Sequence, residues 1–129
     1  MKTTYMDYSA TTYVKPEVLD AMMPFFTEKF GNPSSFYGIS RETKMAIDNA
    51  RAQVAKAINC DPNEVYFTGG GSEADNWAIK GIATAHMKKG NHIITTKIEH
   101  HAILHTCEYL EKVHGFEVTY LDVDADGKV

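Results

Sequence analysis

The sequence contains little that would set it apart from ordinary globular proteins. Only two of its 129 residues are cysteines, Cys60 and Cys107, so no disulfide framework is indicated. No apolar run approaches the roughly 20 residues of a membrane-spanning helix. The first five residues also lack the apolar core of a signal peptide. These features together predict a cytoplasmic protein with no membrane partner.

The sequence also contains fewer basic than acidic residues. The chain has 13 Lys and Arg residues against 17 Asp and Glu residues, and its net charge is −4. Because nucleic acids and anionic membranes attract basic surfaces, neither is predicted as a partner. A length of 129 residues allows one small domain with a core, but is short for an enzyme with a separate substrate domain.

The apolar pattern predicts an α/β domain. Strands and helices that alternate with short connections indicate a parallel sheet. Three strands make a thin sheet whose faces and edges need cover, so we expect the chain to be the beginning of a larger fold. The predicted elements are an extended stretch at 5–13, helices at 16–30, 41–58, 72–88 and 101–114, a turn cluster at 31–35, and strands at 64–68, 92–96 and 116–123.

The most informative segment joins the first predicted strand to the helix after it. Three glycines, 69–71, precede Ser72, which stands where an N-cap belongs, with Asp75 three residues later in capping-box spacing. Such a turn lets the backbone approach a ligand, and a helix N-terminus favours anions. No dinucleotide fingerprint or P-loop is present, so a phosphate cup for a small phosphorylated ligand is one interpretation. A flexible turn without a ligand explains the pattern about as well.

Histidines and a cysteine cluster further along the chain. His101 and His105 share a helix face, but Cys107 points elsewhere and no second ligand pair follows at zinc spacing, so no metal site is predicted. Cys107 falls on an apolar stripe with Leu110, which indicates a buried structural thiol. Cys60 follows a helix end and is expected to be partly exposed. Further residues predicted to be buried are Met22, Met23, Phe25 and Phe26, and the stripe of Ala74, Ala78, Ile82 and Ala85 on the helix after the glycine turn.

Four sequence blocks, in this order and spacing, resemble the N-terminal third of a cysteine desulfurase of the iron–sulfur-cluster assembly type. They are DYSATT at 7–12, GNPSS at 31–35, FTGGGSEADN at 67–76 and EHHA at 99–102. The resemblance covers residues 4–123. It implies the class V group of fold type I pyridoxal-phosphate (PLP) transferases, here the N-terminal part of the large domain with an incomplete sheet. Residues 1–35 would form an extended arm and helix, and residues 36–129 the start of the PLP-binding large domain.

The resemblance also implies an activity and residue roles. The family converts L-cysteine to L-alanine and passes the sulfur to an acceptor or scaffold protein, as a cytoplasmic homodimer. Gly71 and Ser72 match the residues that hold the cofactor phosphate. His100 matches the histidine that stacks on the pyridine ring and moves protons, tasks that suit a flat ring titrating near neutrality. A packed or solvated histidine without a task is the alternative.

The family's Schiff-base lysine, its aspartate at the pyridine nitrogen and its nucleophilic cysteine match no residue up to Val129. Neither Lys80 nor Cys107 stands in the matching context, so this chain alone is not expected to be active. It could be a truncated form, a fragment, part of a split enzyme or a natural short protein. Another class V PLP enzyme, such as a selenocysteine lyase, is one alternative, and a non-catalytic short paralogue acting as a binding module is another.

Overall fold

The computed structural model describes residues 3–129. The first two residues, which belong to the predicted arm and to the segment assessed for a signal peptide, lie outside the described residues. The chain divides into two compact units, one ending at Tyr66 and the other spanning Phe67–Val129. Its elements in order are α1 (Pro16–Met22), α2 (Pro24–Thr27), α3 (Gly38–Ile58), a 3-10 turn (Pro62–Glu64), α4 (Gly71–His86), β1 (His92–Thr96), α5 (His101–His114) and β2 (Glu117–Leu121).

The first unit contains two short helices where one helix, from Pro16 to about residue 30, was predicted. Proline lacks a backbone N–H and its ring crowds the preceding turn, so α1 ends before Pro24 and α2 begins there. The stretch predicted to be extended at 5–13 is interrupted by a turn at residues 8–10. Both differences reflect local backbone chemistry that the apolar spacing does not report.

The predicted turn cluster at 31–35 is present and leads towards α3. The Ser34 N–H donates to Asn32 Oδ1 at 2.9 Å, which closes an Asx turn. Gly31 is buried, and a Cβ at this position would lie 2.6 Å from the backbone oxygen of Ile39. Only glycine therefore lets the loop lie against the first turn of α3, which begins three residues earlier than predicted.

The predicted strand at 64–68 does not form. α3 ends at Asn59, whose left-handed backbone (φ 57°, ψ 50°) stops the helix. After the 3-10 turn, residues 65–68 are irregular, and the Val65 carbonyl accepts a hydrogen bond from the Arg51 guanidinium. A strand needs a neighbouring strand for its ladder, and Val65 is held by α3 instead. Within residues 3–129 the sheet has two strands and not three.

The second unit contains a β–α–β arrangement. β1 and β2 pair in parallel, from His92 opposite Glu117 to Thr96 opposite Leu121. Parallel neighbours need a crossover, which α5 provides. The strand predicted at 92–96 and the helix predicted at 101–114 have the bounds expected, whereas the strand predicted at 116–123 is shorter at both ends. The α/β class with an incomplete sheet is therefore confirmed.

The core of the second unit lies on α5 and the segment after it. Cys107 and Leu110 are each 1% exposed, and Phe116 is 5% exposed. α4 packs against α5. The buried thiol predicted at Cys107 is confirmed, and the partial exposure predicted for Cys60 is confirmed too.

Many other apolar side chains are exposed, including those predicted to be buried. In the first unit Met22, Met23, Phe25 and Phe26 are exposed, and on α4 so are Ala74, Ala78, Ile82 and Ala85. Apolar spacing identifies a face suited to burial, but burial also needs a surface to cover that face. No described element of the same unit covers these residues. Within residues 3–129, no helix combines the length and apolar character needed to cross a membrane.

Expressed alone, residues 1–129 are expected to self-associate or to lack stable tertiary structure, because exposed apolar surface promotes association. Light scattering after size-exclusion chromatography should show oligomers, or near-UV circular dichroism should show no cooperative melting. A Phe26→Ser/Phe30→Ser variant should associate less, since both side chains are 66% exposed. A monodisperse monomer with one cooperative thermal transition would contradict this prediction.

Candidate functional site

The glycine turn leads directly into α4. Gly70 is the N-cap, and the first intrahelical bond runs from the Ala74 N–H to Gly70 O at 3.1 Å. The prediction that Ser72 caps the helix, with Asp75 completing a capping box, is therefore wrong. The helix begins one residue earlier, at Gly71, and the backbone of its N-cap Gly70 is extended (φ 168°, ψ 171°). Ser72 consequently lies inside the first turn.

The start of α4 presents a group of backbone donors. In an α-helix the first N–H groups have no intrahelical partner, and no side chain caps them here. These are the N–H groups of Gly71, Ser72 and Glu73. A Cβ added at Gly70 or Gly71 would meet no atom within 4 Å, so there is open space beside the turn. Three N–H groups and the Ser72 hydroxyl, next to a helix N-terminus, make an arrangement that suits a phosphate.

One carboxylate already lies at this turn. Glu73 Oε2 accepts the N–H of Gly69 at 2.6 Å. The bond shows that the glycine turn presents a donor to an anionic oxygen, and the negative charge is favourable near the positive end of the helix dipole. The same charge repels a second anion. A phosphate at the helix start would therefore have to outweigh this repulsion with its own hydrogen bonds.

His100 is the N-cap of α5. Its Nδ1 accepts the N–H of Ala102 at 3.1 Å, so this cap is a histidine side chain instead of the usual hydroxyl or carboxylate. Because Nδ1 acts as the acceptor, the bond assigns the hydrogen of the neutral ring to Nε2. The ring is exposed. It is therefore oriented by the backbone of its own helix while its surface remains accessible.

Ser72 and His100 line the same open cleft, which has a volume of about 360 Å³ and lies between α4 and α5. Gly71, the third residue predicted for the site, is the neighbour of Ser72 in the chain and is not among the residues lining the cleft. The structure thus brings the predicted phosphate side chain and the predicted stacking side chain to one place. Their roles remain predictions.

Four other side chains of this cleft were not predicted as site residues. Asn76 and Lys80 follow Ser72 on α4 at i+4 intervals, and Thr106 and Tyr109 come from α5. Thr106 Oγ1 donates to Asn76 Oδ1 at 2.8 Å, and Lys80 Nζ lies 4.7 Å from the centre of the Tyr109 ring. The i+4 spacing from Ser72 was a usable signal for the α4 residues. Nothing in the sequence pairs them with α5.

Two histidines near the start of α5 lie beside one another. The rings of His101 and His105 stack with centres 5.3 Å apart and an interplanar angle of 12°. Both are exposed. Cys107, in contrast, is buried, and burial raises the pKa of its thiol, with the nearby Glu111 carboxylate adding to the rise. Among the described residues, no three His, Cys, Asp or Glu side chains are grouped as metal ligands.

Comparison with known proteins agrees with this geometry. The Aminotransferase class-V family matches residues 4–129. The chain belongs to this family. It is 70% identical to the cysteine desulfurase IscS of Clostridium botulinum over 128 residues, which are 99% of this chain and 32% of that protein. It is 60% identical to the cysteine desulfurase IscS of Methanosarcina thermophila, over 99% of this chain and 31% of the relative.

A solved structure adds the same relationship in three dimensions. A NifS-like protein superposes with a TM-score of 0.84 at 42% sequence identity, over 89% of this chain and 31% of the other. The family resemblance noted from the four sequence blocks is therefore confirmed. The chain spans about a third of the length of the curated relatives it matches.

Proposed function

We propose that this chain is the N-terminal segment of a PLP-dependent cysteine desulfurase, which converts L-cysteine to L-alanine and passes the sulfur to an acceptor or scaffold protein for iron–sulfur cluster assembly. The main support is that Ser72 and His100, the two residues matching the family's cofactor site, line one cleft. The 70% identity to a protein named a cysteine desulfurase is further support.

In this proposal the start of α4 binds the cofactor phosphate. The N–H groups of the first turn and the Ser72 hydroxyl donate to its oxygens, and the space beside Gly70 and Gly71 leaves room for them. A hydrogen bond to a charged group contributes roughly 1.5–3 kcal/mol, and the helix dipole roughly 0.3–1 kcal/mol. Several such bonds exceed the repulsion from Glu73, which can also turn towards solvent because it is exposed.

His100 is proposed to stack on the pyridine ring and to carry a proton. When bound, pyridoxal phosphate supplies an electron sink for charge that develops on the substrate. In the tautomer that the N-cap bond assigns, Nε2 carries the hydrogen and can donate it. For Nε2 to accept a proton instead, the ring must carry its hydrogen on Nδ1, which breaks the bond from the Ala102 N–H. The N-cap bond therefore favours the form of His100 that donates at Nε2.

Other parts of the proposed enzyme would come from the two-thirds of the relatives that this chain does not span. These include the family's lysine, its aspartate at the pyridine nitrogen and its nucleophilic cysteine. We further propose a cytoplasmic homodimer, a boundary between arm and large domain at 35/36, and no nucleic-acid or membrane partner. The net charge of −4 supports the last point. The relatives described above are named cysteine desulfurases, which favours cysteine over selenocysteine and an enzyme over a binding module.

A chimera tests the proposal directly. Residues 1–129 replace the matching segment of the C. botulinum relative, which supplies the remaining two-thirds. The purified chimera should bind PLP, seen as visible absorbance that survives dialysis, and should form alanine and sulfide from L-cysteine with a reductant present. The unaltered relative is the control. A soluble chimera that binds no PLP would overturn the proposal, and one that acts only on selenocysteine would support the lyase alternative.

Ser72→Ala in this chimera should weaken PLP binding about 10- to 150-fold, which corresponds to a loss of roughly 1.5–3 kcal/mol. Reconstitution of the cofactor-free protein with increasing PLP is the measurement, because a covalent link through the family's lysine slows loss from the loaded protein. Ser72→Thr keeps the hydroxyl and should stay within a few-fold of the parent. Equal affinities for the alanine variant and the parent would remove Ser72 from the site.

His100→Ala should lower turnover more than PLP binding, the reverse of what is expected for Ser72→Ala. Ring stacking contributes only about 0.5–1.5 kcal/mol, so PLP content should change little, whereas loss of a proton-transfer group typically costs about 10²–10⁴ in turnover. Because His100 also caps α5, His100→Asn is the matched control: it restores a capping side chain but carries no transferable proton. Both His100→Ala and His100→Asn should turn over L-cysteine slowly. His114→Ala, at the other end of α5, should turn over normally. Normal turnover by His100→Asn would assign His100 a capping role alone.

A further inference from the structure

Asn76, the last residue of the glycine block, and Thr106, which lies in none of the blocks, connect the two helices of the cleft. Asn76 Nδ2 donates to the backbone oxygen of Ser72 at 2.9 Å, and Asn76 Oδ1 accepts from Thr106 Oγ1 at 2.8 Å. Thr106 is 3% exposed, so its hydroxyl is removed from water. A continuous chain of hydrogen bonds therefore runs from the first turn of α4, through one amide, to the buried face of α5.

The geometry of these two hydrogen bonds restricts the Asn76 amide to one orientation. If the Asn76 amide were reversed, its oxygen would face the Ser72 carbonyl, and two acceptors would repel each other. The bond also acts on the peptide between Ser72 and Glu73. That peptide is planar, so holding the Ser72 oxygen also holds the Glu73 N–H, one of the three open donors of the proposed phosphate site. Asn76 thus acts on the direction of a donor that it does not itself touch.

The other end of this series of hydrogen bonds, at Thr106, acts on α5. Thr106 lies six residues after His100, about 9 Å along the helix axis at 1.5 Å per residue. Rotation or sliding of α5 against α4 would break the Thr106–Asn76 bond and would displace the His100 ring with it. Leaving a buried hydrogen-bonding group without its partner is unfavourable, so the Thr106–Asn76 bond opposes such a movement.

We propose that Asn76 and Thr106 are positioning residues for the cofactor site, and that their hydrogen bond sets the donors at the start of α4 against the ring of His100. This inference rests on the proposed function and deepens it. Neither side chain is assigned a step in the reaction. Their effect is on how well one rigid cofactor can meet its phosphate donors and its stacking partner at the same time.

Thr106→Val in the chimera is the main test, since valine keeps the shape of threonine and removes only the hydroxyl. We expect the affinity of the cofactor-free protein for PLP to fall about 5- to 30-fold, as part of the cost of an unmade buried bond. The absorbance maximum of the bound cofactor should also shift, because the His100 ring no longer lies at its parent position. Thr106→Ser should restore both properties.

A purely structural bond would behave differently, and Asn91→Ala is the matched control. Asn91 Nδ2 donates to the Gly115 oxygen at 3.2 Å in the same unit, away from the cleft. Its loss should lower the unfolding temperature while PLP affinity and absorbance stay unchanged. If Thr106→Val follows this pattern, with lower stability and parent-like PLP binding, the inference is overturned.

Asn76→Ala and the double variant complete the experiment. If the two residues act through one bond, the double variant should bind PLP little worse than the weaker single variant, and fully additive losses would overturn the inference. Asn76→Ala also serves if Thr106→Val does not fold, because Asn76 is only half-buried. A parent chimera that binds no PLP would defeat the proposed function itself, an outcome distinct from parent-like binding by the variants.

Discussion

The contact between α4 and α5 is the feature on which the candidate site depends. Cys107 and Leu110 of α5 are buried, and the adjacent Thr106 makes its hydrogen bond to Asn76 of α4. Apolar burial brings two helices together but only weakly restricts their sliding along each other. A buried hydrogen bond between them, in contrast, forms at only one relative position, or offset, of the two helices. The position of His100 relative to the start of α4 follows from that offset.

Charge at the glycine turn poses a second constraint. Glu73 stabilises the turn by accepting the Gly69 N–H near the helix N-terminus, an effect of roughly 0.3–1 kcal/mol for an exposed carboxylate. A phosphate carries more charge and can accept from several N–H groups and the Ser72 hydroxyl at once. The carboxylate therefore supports the helix start without competing strongly for it, and it can move because it is exposed. Glycine at 70 and 71 keeps the approach clear of side chains.

The second unit has a sheet of two strands and a core of few residues, while much of its apolar surface is exposed. The first unit buries even less. Folding has to offset roughly 1–2 kcal/mol of backbone entropy per residue, mainly by apolar burial. The chain is related to proteins about three times as long. In those proteins, further chain is available to cover apolar faces of the kind that are exposed here.

Local chemistry in the sequence was enough to predict several features. The β-branched residues at 93–96, the helical spacing of 101–114 and the turn residues at 31–35 each act within a few residues, so their elements form as predicted. The glycine block and His100 could be assigned because a motif in a known family carries them. The sequence also implied a buried Cys107, since its helical stripe is the one that meets another element.

Other features depended on tertiary structure. Residues 65–68 have strand composition but need a neighbouring strand, and Val65 is bound by α3 instead. The N-cap of α4 is Gly70 and not Ser72, and Glu73 binds back to the glycine turn from the first turn of the helix. The hydrogen bond between Asn76 and Thr106 joins residues 30 positions apart in the sequence, and local periodicity cannot predict a contact over that separation. The sequence by itself determined which side chains are available to bind a ligand, whereas packing between α4 and α5 decided which of them meet.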